Sequence, residues 1–152
     1  MDRSRVLALD LGLRRIGVAV SDALGIAAGR ATILERRGGQ RDLDAVAELV
    51  AEQAAGEVVV GWPLSLRGGE GLSAQRARSF AARLRQRVKV PVHLVDERLS
   101  SVEAERTLRA LKTRRGGGAT RRRAPVDAVA AQLILQRFLE SRRTEADRMA
   151  DD

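Results

Sequence analysis

A chain of 152 residues with no cysteine and one histidine, His93, excludes disulfides, thiolate metal sites and histidine-rich zinc centres. Any metal it binds must sit on carboxylate oxygens, which favours magnesium or manganese. Twenty-eight basic residues against 20 acidic give a formal net charge of +8, the electrostatic footprint of a phosphate-backbone binder.

Only Lys89 and Lys112 among the basic residues are lysines, and a GC-rich genome accounts for that arginine bias without accounting for the excess of base over acid. The aromatics Trp62, Phe80 and Phe138 are too few for a base-stacking platform. The opening "MDRSRVLALD" meets a charge again after four apolar residues, too few for a signal-peptide core, and no run approaches a membrane span. These features fit a soluble cytoplasmic protein. The length fits one domain, placed over residues 1–143, with a disordered tail over 144–152.

In chain order, residues 5–10 and 16–21 read as short strands joined by "LGLRR", a connection that suits an antiparallel hairpin. Residues 27–35 make a third strand, and Gly38–Gly39 a turn. Between Gln40 and Ala55, the spacing of Leu43, Val46, Ala47 and Val50 predicts an amphipathic helix. "EVVVGWP" is a continuous β-branched run ended by Gly61 and Pro63, the pattern of a buried strand.

After the loop "LSLRGGEG", the spacing of Ala77, Phe80, Ala81 and Leu84 repeats the helical template, and "VPVHLVDE" follows as a strand. Ser100 with Glu103 forms a capping box that opens a helix to about Leu111. "KTRRGGGATRRRAP" has no apolar periodicity and is expected to be a mobile loop. Pro125 suits the first turn of a last helix running to about Arg143. An antiparallel three-strand meander followed by strands alternating with helices implies an α/β fold: one mixed sheet flanked by helices.

In such sheets ligands gather at the carboxyl ends of strands, where this sequence puts acids. Asp10 ends the first strand, and Asp96 and Glu97 end "PVHLVDE". Because side chains alternate along a strand, Asp96 and Glu97 cannot both enter one site, and spacing leaves the choice open. Asp127 lies in the middle of the last helix's apolar face, with Ala131, Ile134 and Phe138 nearly over it. Each acid has a plain structural use: Asp10 as turn initiator, Asp127 as a first-turn partner of the helix dipole, "DER" as a solvated strand end. Together they suggest chemistry, since clustered carboxylates repel one another unless a cation holds them. Two hard divalent ions held there could activate a water and stabilise the leaving oxygen of a phosphodiester.

The motifs "ALDLGLRRIGVAVSD", "VVVGWPLSLRGGEG", "LVDERLSSVEAE" and "VDAVAAQLILQRFL", in that order, resemble the YqgF/RuvX family over about Val6 to Leu139. That family comprises Holliday-junction-resolvase-like proteins also described as pre-16S rRNA nucleases. The resemblance implies an RNase H-like fold and assigns metal-binding, catalytic roles to Asp10, Glu97 and Asp127, choosing Glu97 over Asp96. Trp62 departs from the leucine expected in the family's "GLP", and arginines replace the lysines usual before "VD". "DLGLRRIGVAVSD" also resembles the first phosphate loop of actin-like ATPases, but those folds pair two such domains and this length suits one.

The expected activity is a nuclease dependent on Mg²⁺ or Mn²⁺, two ions in all, acting on structured RNA or branched DNA. Maturation of the 5′ end of pre-16S rRNA, within ribosomal precursor particles, is the first expectation. Resolution of a four-way DNA junction by a homodimer is the alternative, and a non-catalytic RNA-binding maturation factor is a rival of another class. Trimming one rRNA end needs only a monomer. Nucleic-acid contacts are expected from Arg14 and Arg15 in the first hairpin turn, from Arg98, and from Lys112, Arg114, Arg115, Arg121, Arg122 and Arg123.

Overall fold

The computed structural model describes residues 4–64, 70–97 and 126–151, without the side chains of residues 126, 127, 150 and 151. Strands β1 (Arg5–Leu11), β2 (Arg15–Ser21) and β3 (Ala28–Glu35) form the expected meander. Helix α1 (Gly39–Glu52), strand β4 (Ala55–Trp62), helix α2 (Leu72–Arg87), strand β5 (Val92–Asp96) and helix α3 (Val126–Asp151) follow. The sheet order is β3-β2-β1-β4-β5. Pairings β1–β2 and β2–β3 are antiparallel, while β1–β4 and β4–β5 are parallel. The helix expected from Ser100 to Leu111 and the loop after it lie outside the described residues.

The central strands are buried on both faces, hence their unbroken apolar runs. Leu7, Leu9, Val58 and Val60 pack with Leu43, Val46, Ala77, Phe80 and Leu84 of α1 and α2. Val6, Ala8, Ala19 and Val59 face the other way, against Ala131, Ile134, Leu135 and Leu139 of α3. Small residues on that second face let one helix lie close to the sheet. Alternation then fixes every neighbour: Asp10, Gly61, Val95 and Glu97 share the α3 face, and Leu11, Trp62, Leu94 and Asp96 the other.

Helix α3 continues to Asp151, past the end expected near Arg143, so residues 144–151 are helical rather than irregular. Residues 141–149 are all exposed, and no Pro or Gly interrupts them. Good helix formers such as Glu145, Ala146 and Arg148 propagate the last packed turn without needing a buried face. The apolar periodicity used to mark the helix end stops where packing stops, not where helix stops.

Candidate active site

The site forms where β1 and β5 end. Both strands run parallel to β4, but β4 lies between them. At about 4.8 Å per strand step, the β1 and β5 backbones stand roughly 10 Å apart. Asp10 and Glu97 therefore do not meet at adjacent strand ends, as a simple reading of parallel neighbours suggests. Glu97 reaches across β4 instead, and Gly61 is what allows it. A Cβ built on Gly61 would lie 2.7 Å from Glu97 Oε1 and 2.5 Å from Ile134 Cδ1. The absent side chain leaves a cradle for the carboxylate between β4 and α3.

Helix α3 runs antiparallel to β1 and β4. Its Ile134 lies over Gly61 near the carboxyl end of β4, while Leu139 and Arg142 approach Ser4 and Glu57 at the opposite end. The first turn of α3 is therefore directed to the same sheet end as the acids. Asp127 is the second residue of that turn, one turn before Ala131 and two before Ile134, both buried against the sheet. Its side chain lies outside the described residues.

The electrostatics mark Glu97. Burial and the nearby negative charge of Asp10 push its carboxyl up from 4.5 to about 7; the Arg137 guanidinium opposes the rise, and Asp96 adds to it. Arg137 also sits near the strand end through Nη1, 3.5 Å from the Asp96 carbonyl oxygen. A half-buried carboxylate destabilised by its acidic neighbours suits a hard divalent cation, which would replace repulsion with attraction. Oxygen donors on a cradle open to one side are the donor set that Mg²⁺ or Mn²⁺ takes. Among the described residues no group of three or more potential ligands assembles, and Asp10 with Glu97 is the pair on which a cation would rest.

The turn after Asp10 is fixed on several sides. The Gly12 N–H donates to the Arg15 carbonyl at 2.9 Å, and a Cβ on Gly12 would come within 2.7 Å of that oxygen. Arg36 braces the turn from β3: its N–H donates to the Arg14 carbonyl at 2.9 Å and its Nη1 to the Gly12 carbonyl at 2.9 Å. Asp42 in turn holds Arg36 Nε at 3.1 Å and accepts the N–H groups of Arg37 and Gly38. Burial would raise the Asp42 carboxyl, but these donors outweigh it and hold the group below its ordinary value.

Arg14 and Arg15 are exposed at this turn, with Arg15 Nε 3.5 Å from Glu35. The exposed Arg37 and Arg41, which motif reading did not single out, extend the basic surface from the same sheet end toward α1. Arg98, Lys112, Arg114, Arg115, Arg121, Arg122 and Arg123 lie outside the described residues. Trp62 sits on the face away from Glu97, packed against the α1–α2 core, with Nε1 donating to Glu70 at 3.1 Å. It fills space there.

The family model for RuvX, described as Holliday junction resolvase, matches residues 4–141. The chain belongs to the RuvX family. A Koribacter versatilis protein named "Putative pre-16S rRNA nuclease" is 46% identical over 138 residues, 91% of this chain and 88% of that relative. A Myxococcus xanthus relative of the same name is 44% identical over 149 residues, covering 97% and 96%. Among solved structures, Thermus thermophilus RuvC in complex with a Holliday junction substrate superposes with a TM-score of 0.61 at 16% identity, covering 92% of this chain and 96% of that one. The fold is thus the RNase H-like fold of RuvC.

Proposed function

We propose that this RuvX-family protein is a nuclease dependent on divalent metal, and that its substrate is the 5′ end of pre-16S rRNA. The observation that carries the reading is the Asp10–Glu97 pair, two carboxylates on one sheet face whose mutual repulsion a cation would relieve. Asp10 and Glu97, with Asp127 from the facing helix, would hold the metal. When bound, two divalent ions supply Lewis acidity and an activated water for in-line attack on phosphorus.

The chain's own groups do the rest. Gly61 keeps the Glu97 carboxylate aimed along the sheet, and the braced turn holds Asp10's successor residues in one position. Arg14 and Arg15 contact the substrate phosphates, with Arg37 and Arg41 continuing that track, and Arg98, Lys112, Arg114, Arg115, Arg121, Arg122 and Arg123 add further positive charge for the same backbone. Such binding weakens steeply with salt, because each phosphate contact releases counterions. The relatives' names favour rRNA.

The test is cleavage of a precursor rRNA 5′ end and of a four-way DNA junction, each with Mn²⁺, Mg²⁺ or EDTA. Metal-dependent trimming of the RNA by wild type, lost in D10N, supports the proposal. Cutting of the DNA junction alone would transfer the protein to recombination. Binding of RNA without cleavage in any metal would make it a maturation factor with structural acids.

A further inference from the structure

Leu13 stands at the tip of the β1–β2 turn with 78% of its surface exposed, three residues beyond Asp10. Turn tips ordinarily carry Gly, Asn, Asp or Ser, and an apolar side chain left in water forgoes the stabilisation that burial would bring. The same turn is unusually well fixed. Gly12 and Arg15 close it through their backbone, and Arg36 grips the carbonyls on both sides of Leu13, at Gly12 and at Arg14. Arg36 is itself held by the buried Asp42. Leu13 is therefore presented rigidly, three residues after Asp10 in the chain and directly before two exposed arginines, Arg14 and Arg15.

A rigid apolar knob flanked by cations matches nucleic acid whose bases are accessible. Arginines take the phosphates, and a leucine takes the face of a base that has left its stack. Continuous duplex exposes such a face only at the cost of unstacking a base step, whereas a duplex end, a branch or a helix–single-strand step exposes it already. We propose that Leu13 packs on an unstacked nucleobase beside the scissile phosphate and so selects substrates with a strand discontinuity at the cleavage site. This rests on the nuclease reading above and names the structural class of its substrate.

The test compares wild type, L13A and L13M on two labelled RNAs of matched sequence, one with a helix–single-strand step at the cleavage site and one fully duplex. Far-ultraviolet circular dichroism and thermal midpoints verify folding, which a change at so exposed a position should not disturb. The expected result is a kcat/KM ratio, stepped over duplex, that falls about five- to twentyfold in L13A, the scale of withdrawing part of one leucine side chain from water, and recovers in L13M. A fall of less than fivefold in L13A, with wild type active, overturns the role of Leu13 and leaves the nuclease reading intact. No cleavage of either RNA by wild type removes the nuclease reading and this inference with it.

Discussion

The two ends of the sheet on its α3 face carry acids in opposite circumstances. At the far end Glu57 is paired with Arg142 and lies 3.0 Å from His93 Nε2. Arg142 also covers the Phe138 ring, which stacks on His93. Beside this network lies a cavity of about 580 Å³, lined by Ser4, Leu24, Ile26 and Leu139 among others. At the near end burial and the negative charges of Asp10 and Asp96 bear on Glu97, with Arg137 as partial offset. The far-end acid is charge-balanced beside a cavity; the near-end acid is charge-frustrated. The proposed metal site follows the second pattern, because a cation gains little from a carboxylate that is already paired.

Substitutions at the two ends should separate accordingly. The largest effect is expected for D10N, which removes a proposed direct ligand. Since changes one shell further out cost 10–100-fold, loss of metal-dependent cleavage should exceed about a hundredfold, read in single-turnover assays. Leu139→Ala at the far end should cost about 2–5 kcal/mol of stability by denaturant unfolding, yet leave Mn²⁺ affinity at wild-type level. A shift in Mn²⁺ affinity there would break the distinction between the ends. G61A should do both kinds of harm. Its Cβ meets Ile134 and Glu97, so stability falls by about 1–3 kcal/mol and Mn²⁺ binding weakens together with it. The smallest effect belongs to Arg142→Ala, within about 1 kcal/mol, because the half-exposed pair with Glu57 is screened by solvent.

Much of this site was legible in the sequence because strand periodicity is rigid. Alternation along β5 separates Asp96 from Glu97 without choosing between them; the packing of the two sheet faces puts Glu97 on the side of Asp10, the choice that the family resemblance implies. What periodicity could not supply is lateral order. Nothing in "LALD" or "HLVDE" says that β4 lies between them, so the means of contact stayed hidden. The signal is present in "VVVGWP": a glycine that follows a β-branched run can end a strand or mark close approach of another group, and at Gly61 it does the second. Arg36 and Asp42 left no comparable trace. Their brace joins β3, α1 and the β1–β2 turn, and only the folded chain brings those three together. The length of α3 past Arg143 escaped for the opposite reason, since unpacked helix has no apolar pattern to read.

Metal binding at the near end turns on the state of one carboxyl group. Burial and the charge of Asp10 raise the Glu97 carboxyl from 4.5 to about 7. Its contribution to stability is therefore complete below its unfolded value and is lost as pH rises through about 7. In E97Q that loss should vanish, as followed by thermal midpoints between pH 5 and 8. A divalent cation bound at the pair must reverse the sign of the effect, because it favours the ionised form. The direct measurement is an NMR titration of protein carrying carbon-13 in its glutamate carboxyls, with the Glu97 signal assigned through E97Q, without and with saturating Mg²⁺. The expected result is a midpoint near 7 without metal that moves well below it with Mg²⁺. A Glu97 midpoint that does not respond to Mg²⁺ would contradict it.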